Sequence, residues 1–359
     1  MAAIMMPLNL FISSSKEITY EKKIHSIAKF LLLLLLLFSM FNCLNTVFME
    51  KSYNQHMAKI FRTADKTYDV ILAGPSHMQF AVQPAQLFGQ YGIASCNIST
   101  TAQSIPTTYH LLKEMVFRHD PDVVVVDLFC LFQPDKLFSP ERLHQAIDFL
   151  PLSSNKIEIV NDLIEENQKE YYFPFILYHD RWKTLKHDDY MLYRSTNETY
   201  QFLEGLYVFD APFTPVPENQ TAQIPEIPLL YLEKIVTLCQ ETDTQLLLTV
   251  IPYRADQDNN YTSAIYQQQL FNSVASLANE WNVAYLNALH CLDDMDFDFT
   301  TDMVEYSHVN ASGSQKISEY YGSYLREHFN IPDRSHDPSY TDWYDDYQQY
   351  LLALQKCLN

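Results

Sequence analysis

A long apolar run near the N-terminus, at residues 30–49, gives the strongest pattern of the chain. It opens with a block of phenylalanine and leucine, and about 20 helical residues suffice to cross a hydrocarbon core of ~30 Å. Asn42 and Asn45 interrupt its second half. The lysines that precede it predict that residues 1–29 are cytoplasmic and that the chain beyond the run is extracytoplasmic.

A cleaved signal peptide is the alternative explanation of this run. The segment before it is long for a signal peptide, and no small-residue cleavage site follows it. Cys43 is preceded by Phe41 and Asn42, where a lipoprotein signal would have small residues. We therefore predict an uncleaved single-pass membrane anchor, followed by a juxtamembrane linker at residues 50–65.

Beyond residue 66 the pattern changes to short apolar runs that alternate with stretches of helical periodicity. Residues 69–73, 122–128 and 245–251 are such runs, and the last two are continuous, as in strands covered on both faces. The alternation predicts an α/β fold over residues 66–330, with a three-layer, doubly wound, flavodoxin-like parallel sheet.

Residues 131–240 break this alternation with a polar helix, an aromatic-rich stretch and a proline-bearing loop. We interpret them as a large insertion over the carboxyl edge of the sheet, where such folds place their sites. The acidic, aromatic tail at residues 331–359 is either a short docking helix or a frayed end.

Composition narrows the function classes. The net charge of −20 argues against nucleic-acid binding, because an acidic surface repels phosphate. Six glycines leave little from which to build phosphate-binding loops, and the six cysteines contain no C-x-x-C pair. We predict no cofactor, no metal and no nucleic-acid partner.

Acidic residues between positions 294 and 305 raise a calcium alternative, because they fall at the ligand positions of an EF-hand-like loop. Phe299 stands where that loop needs glycine for its turn. The favoured interpretation is a solvated acidic loop.

Two short motifs carry the candidate chemistry. In the first, Gly74-Pro75-Ser76-His77 follows the first predicted strand, so the Ser76 hydroxyl lies at the sheet edge. The amide of Ser76, at the start of a helix, can donate to an oxyanion. Helix capping is the alternative role of this serine.

The second motif, Glu305-Tyr306-Ser307-His308-Val309-Asn310, precedes the last predicted helix. Glu305 can reach across one turn to hold the His308 ring, which fixes its tautomer and stabilises an imidazolium. Asp302, on the preceding turn, is the alternative acid.

Together these motifs resemble blocks one and five of the SGNH (GDSL-like) hydrolase family, and residues 96–103 resemble block two. The resemblance implies that Ser76 is the nucleophile, His308 the base and Glu305 the orienting acid. It also implies an oxyanion hole formed by the amides of Ser76 and Ala102, where Ala102 stands in place of the family's glycine.

Block three, which contains an asparagine in the family, reads Asp127-Leu128-Phe129-Cys130 here. Asn97 or Gln103 is expected to substitute for the missing oxyanion-hole donor. The residues expected to line the substrate pocket are His77, Gln103, His179 and Trp182.

The resemblance is closest to the membrane-anchored branch that includes the lipoteichoic-acid D-alanylation protein and the alginate O-acetylation proteins. It implies an esterase or O-acyltransferase that acts on an acylated glycan or small ester in the cell envelope. A membrane-bound O-acyltransferase is the implied protein partner. The alternative is a weakly catalytic or non-catalytic partner or scaffold of such an acyltransferase.

Overall fold

The computed structural model describes residues 9–50, 55–62, 68–191, 199–206, 215–254 and 264–358. The chain divides into two compact units. The first, the anchor unit, comprises Met1–Glu50 and Phe173–Leu192, and the second, the α/β unit, comprises Lys51–Tyr172 and Tyr193–Asn359.

Within the described residues, the α/β unit contains one sheet of five parallel strands, with the order β2-β1-β3-β4-β5. The strands are β1 (Val70–Ala73), β2 (Ser95–Asn97), β3 (Val123–Asp127), β4 (Gln245–Val250) and β5 (Ala284–Asn287). The chain begins beside the middle strand and extends the sheet first to one side and then to the other. This arrangement confirms the predicted doubly wound α/β fold.

Helices connect the strands and flank the sheet. Their bounds are α1 (Asn9–Phe48), α2 (Gln55–Arg62), α3 (Ser76–Ala81), α4 (Pro84–Tyr91), α5 (Ile105–His119), α6 (Pro140–Ile147), α7 (Ser154–Leu163), α8 (Gln168–Tyr172), α9 (Pro174–Tyr178), α10 (Glu226–Glu241), α11 (Ala264–Trp281), α12 (Ala311–His328) and α13 (Thr341–Leu358). Short 3₁₀ helices lie at Phe129–Phe132, His179–Lys183, His187–Tyr190, Ala288–His290 and Pro338–Tyr340.

The sheet is covered on both faces, which explains why its strands are continuously apolar. Val123 and Val125 of β3 point into a core that also contains Leu87 of α4 and Ile317 and Tyr321 of α12. Helices α5 and α10 pack against each other and contact β1 and β4. All residues of β1 and β3 are buried as a result.

Helices lie near both ends of the α/β unit, one within the predicted linker and one within the predicted tail. Residues 50–65, predicted as a linker, contain α2, in which Met57 and Phe61 are buried. The tail contains a docking helix, one of the two predicted alternatives, because α13 packs against α4 and buries Trp343 and Tyr350. Amphipathic helices of this kind derive most of their stability from tertiary contacts, so local sequence predicts them poorly.

The predicted insertion at 131–240 does not form a single body. Its last helix, α10, is the crossover helix that leads into β4. Residues 173–191, by contrast, belong to the anchor unit and contact the C-terminal end of α1. We refer to residues 173–191 below as the 173–191 segment.

The anchor unit is built around α1. Its Lys22–Phe48 portion is 27 residues long and apolar enough to cross a membrane by length and composition. The side chains of residues 22–43 are exposed, whereas residues 44–49 are half-buried or buried. The single apolar N-terminal helix agrees with the sequence prediction.

Candidate active site

Ser76 lies at the carboxyl end of β1, on a turn that glycine makes possible. A Cβ atom on Gly74 would lie 2.8 Å from Cβ of Asp127, so a larger residue would push β1 and β3 apart. Pro75 occupies the N-cap position of α3 and Ser76 the first helical position. The Ser76 hydroxyl does not cap this helix; its Oγ lies 2.7 Å from Nε2 of His308.

His308 lies on a closed loop before α12 and contacts Ser76, although the two residues are 232 positions apart in the sequence. Met303 and Val309 form an antiparallel bridge across the loop, and the amide of Val304 donates to the carbonyl oxygen of His308 at 2.9 Å. Asn310 then begins α12 by accepting a hydrogen bond from the amide of Gly313. These contacts fix the position of the imidazole through the backbone.

Glu305 accepts hydrogen bonds from Nδ1 of His308 and from the hydroxyl of Ser307. Partial burial raises the pKa of Glu305, but these two hydrogen bonds outweigh that effect and hold the pKa below its usual value. An ionised Glu305 favours the tautomer with the proton on Nδ1, which leaves Nε2 of His308 free to accept from Ser76. The sequence analysis assigned no role to Ser307.

Asp302 is not in position to replace Glu305. Its side chain is fully buried and accepts hydrogen bonds from the amide of Asp298, the hydroxyl of Ser312 and the ammonium of Lys316. Asp302 therefore holds the first turn of α12 against the acidic loop, while Glu305 contacts the His308 ring.

The loop after β2 provides the second oxyanion candidate. Ala102 has φ = 49°, in the left-handed region that glycine enters freely and that is unfavourable for other residues. Ala102 adopts this conformation and keeps its backbone amide as a possible donor. The Ser76 amide lies in the first turn of α3, where amides have no intrahelical acceptor.

The side chains of Asn97 and Gln103 form hydrogen bonds with other groups. They are therefore not the oxyanion-hole donors that were expected in place of an asparagine. The amide nitrogen of Asn97 donates to the carbonyl oxygens of Met78 and Val82, which ties α3 to β2. Gln103 accepts from the Thr100 hydroxyl and donates to that of Thr108. Both side chains brace the loops that position Ser76 and Ala102.

His77 forms one wall beside the nucleophile. Its ring stacks on Phe129 at 3.6 Å between centroids and lies 5.1 Å from the ring of His308. Burial, together with the charge of His308, lowers the pKa of His77 far below its usual value, so the ring is neutral. Neither ring nitrogen has a hydrogen-bond partner among the described residues.

An aromatic wall near the serine was missed by the sequence analysis. Phe80 lies 5.9 Å from the ring of His308, and Phe129 packs edge-on against Tyr253 at 5.1 Å. Phe129 lies in the segment that corresponds to block three, and an aromatic ring there makes the surroundings of Ser76 more apolar. Aromatic residues occur throughout this chain, so composition could not single these out.

Asp127, at the end of β3, is a buried acid close to the serine turn. It accepts from the amides of Phe129 and Ile251, each at 3.4 Å, and so joins the ends of β3 and β4. Burial raises its pKa to about 7, although these backbone hydrogen bonds act in the opposite direction. Its contacts are structural, and it touches no atom of the Ser76–His308–Glu305 chain among the described hydrogen bonds.

His179 and Trp182, expected to line the pocket, lie in the anchor unit. Nδ1 of His179 bonds the carbonyl oxygen of Ile176 within the 173–191 segment. Trp182 is 63% exposed, with the Lys183 ammonium 5.6 Å from its ring centroid. The structure therefore brings Ser76, His308 and Glu305 together, whereas the contacts of His179 and Trp182 lie within the 173–191 segment.

No protein-family model and no curated protein matches the sequence. Solved structures that resemble the chain include a protein described as a lipolytic member of the G-D-S-L family from Desulfitobacterium hafniense, with 13% identity and a TM-score of 0.36 over 71% of this chain and 98% of that one. Another is described as an acylhydrolase from Bacteroides fragilis, with 10% identity and a TM-score of 0.36 over 77% and 95% of the two chains. A third is a GDSL-like lipase from Bacteroides thetaiotaomicron, with 9% identity and a TM-score of 0.34 over 72% and 87%. Because these sequence identities and TM-scores are low, the function of this protein must be argued from the geometry of its own site.

Proposed function

We propose that this protein is a membrane-anchored serine esterase or O-acyltransferase that works through an acyl-enzyme. The observation that carries the proposal is the hydrogen-bonded chain from Ser76 Oγ through both ring nitrogens of His308 to the carboxylate of Glu305. Nucleophile, base and orienting acid in hydrogen-bond reach are the arrangement that serine acyl transfer needs.

The geometry gives each residue a defined step. Ser76 Oγ attacks an ester carbonyl while Nε2 of His308 takes the hydroxyl proton, and Glu305 stabilises the imidazolium. The amides of Ser76 and Ala102 donate to the tetrahedral oxyanion. His308 then gives its proton to the leaving alcohol, and the same base activates water (hydrolysis) or a sugar hydroxyl (transfer) to release the acyl group.

Membrane anchoring is the second part of the proposal. The exposed apolar surface of α1 supports a span, and the basic residues before it favour a cytoplasmic N-terminus. The 173–191 segment contacts the end of α1, which supports an uncleaved anchor, because cleavage would leave that segment without its packing partner. We therefore propose that the serine site works outside the cell, with acylated envelope polysaccharide as its substrate and a membrane-bound O-acyltransferase as its partner.

Turnover of a short-chain nitrophenyl ester by the full-length protein in detergent tests the catalytic part. Ser76→Ala should lower kcat/KM by about 10⁴-fold or more, as for other serine hydrolases whose nucleophile is removed. Ser99→Ala is the matched control, because it removes a buried hydroxyl without a hydrogen-bond partner in the described chain. Equal turnover by Ser76→Ala and the parent protein would reject Ser76 as the nucleophile, and no turnover by the folded parent protein would favour a non-catalytic scaffold.

A further inference from the structure

We propose that the 173–191 segment is a second membrane-contacting element, which lies in the outer-leaflet interface of the bilayer that α1 spans. This inference rests on the anchoring part of the proposed function and is independent of the serine chemistry. The occupant of its exposed apolar face is lipid.

The length of α1 gives the first argument. Lys29 is the last basic residue before the apolar run, and the exposed apolar part of α1 covers residues 30–43. At ~1.5 Å per residue these residues rise about 21 Å, which is short of the ~30 Å hydrocarbon core. Residues 44–49 supply the remaining ~9 Å. Because residues 44–49 are half-buried or buried, the part of the protein that covers them must itself reach into the outer leaflet.

The 173–191 segment is what covers this end of α1. The amide of Phe175 donates to Oδ1 of Asn45 at 3.0 Å, and the rings of Phe48 and Phe175 pack edge-on at 5.1 Å. One turn deeper, Phe173 lies 6.2 Å from Phe41. Asn45 is one of the two polar residues that interrupt the apolar run, and this contact satisfies its side chain where water is scarce.

Arg181 completes the C-terminal end of the anchor helix. Its guanidinium donates to the carbonyl oxygens of Phe48 and Met49 at 2.7 and 2.6 Å. The last carbonyls of a helix have no intrahelical donor, and leaving them unpaired at the edge of a membrane is unfavourable. Asp189, itself almost fully buried, lies 2.8 Å from the guanidinium and neutralises it. The segment is therefore fixed to α1 by polar contacts that suit a low-dielectric environment.

Several exposed side chains of the 173–191 segment are of the types that are common at a membrane–water interface. Trp182 and Tyr190 are 63% and 61% exposed, and these two residue types are enriched where the hydrocarbon meets the headgroups. Other exposed apolar residues of the segment are Phe173, Ile176, Leu177 and Met191. Lys183, beside Trp182, can bury its stem and keep its ammonium among the headgroups. Interfacial helices lie ~5–10 Å deep, which matches the ~9 Å by which the exposed apolar part of α1 falls short of the hydrocarbon core.

Lipid quenching of tryptophan fluorescence tests the inference on the full-length protein in phosphatidylcholine liposomes. One set of liposomes carries bromine near the headgroup end of the acyl chains, and a second set carries it near the methyl end. The parent protein is compared with Trp182→Phe, and Trp281→Phe makes the same chemical change in the α/β unit as a matched control. Acrylamide measures exposure to water in the same samples, and carbonate extraction measures insertion of the anchor.

We expect bromine near the headgroups to quench more than bromine near the methyl ends. Trp182→Phe should remove nearly all of this lipid-dependent quenching, and Trp281→Phe should retain it. Equal lipid quenching in the parent and Trp182→Phe would overturn the proposal, as would quenching of Trp182 by acrylamide alone, which would mean that this face is exposed to water. Release by carbonate would refute the anchor and this inference together, while turnover of a soluble ester would still report on the serine site.

Discussion

Among the histidine–carboxylate pairs of the α/β unit, those at His308 and His110 differ in what the second ring nitrogen meets. The His308 ring bonds Glu305 through Nδ1, and its Nε2 lies 2.7 Å from the Ser76 hydroxyl. The His110 ring bonds Asp162 through Nε2 at 2.8 Å, but its Nδ1 is buried and has no hydrogen-bond partner among the described residues. The side chain of His308 is 23% exposed and that of His110 is 1% exposed.

The surroundings of the two carboxylates also differ. Asp162 accepts from three side chains, Tyr231, His110 and Lys136, and together these donors lower its pKa strongly although burial acts in the opposite direction. Burial in turn lowers the pKa of His110. This second pair is a static network that joins α5, α7 and α10. A histidine–carboxylate contact thus indicates catalysis when the remaining nitrogen faces a nucleophile that substrate can reach.

Of the two carboxylate replacements that test this comparison, Glu305→Gln should have the larger effect on turnover. A glutamine can donate to Nδ1 of His308 and so favour the wrong tautomer, which leaves Nε2 unable to accept the Ser76 proton. We expect kcat/KM for a nitrophenyl ester to fall by about 10²–10⁴-fold, with no loss of folded structure by circular dichroism. A variant that kept parental turnover would show that Glu305 has no part in orienting His308.

Asp162→Asn makes the same chemical change in the static network, and it should alter stability instead of turnover. Replacing a carboxylate that accepts three hydrogen bonds should lower the free energy of unfolding by about 1–3 kcal/mol at pH 7, measured by urea denaturation. Ester turnover should stay within about twofold of the parent, because none of the hydrogen bonds of the described residues links this network to Ser76. A large loss of turnover in a stable variant would remove the distinction between the two pairs.

The difference in stability between the parent protein and Asp162→Asn should depend on pH, and the sign of this dependence is defined. The folded-state pKa of Asp162 is lowered, so its contribution to stability is present above its unfolded pKa of ~4 and is lost as the pH falls below that value. The lowered pKa of His110 reduces the stability of both proteins on acidification, because the unfolded histidine binds a proton first, so the narrowing of their difference comes from Asp162. The stability difference between parent and variant should therefore narrow on acidification, and a constant difference would contradict this explanation.

Local sequence predicted the elements whose structure depends on near neighbours. The continuous valines of β3 indicated a strand covered on both faces, and the motifs around Ser76 and His308 indicated two loops at the same sheet edge. The partners of α13 and of the 173–191 segment could not be predicted, because each depends on a surface distant in sequence. For the same reason Trp182 looked like a pocket residue: an exposed aromatic side chain has no local feature that identifies its neighbour.

Labelling of the full-length protein with a fluorophosphonate, followed by peptide mapping, tests the central claim most directly. The reagent reacts covalently with a serine only when a neighbouring base activates it. We predict one modified peptide containing Ser76, no modification in Ser76→Ala, and loss of labelling in His308→Ala despite the intact serine. Absence of labelling in a folded parent protein, or equal labelling in His308→Ala, would contradict the proposed acyl-enzyme mechanism.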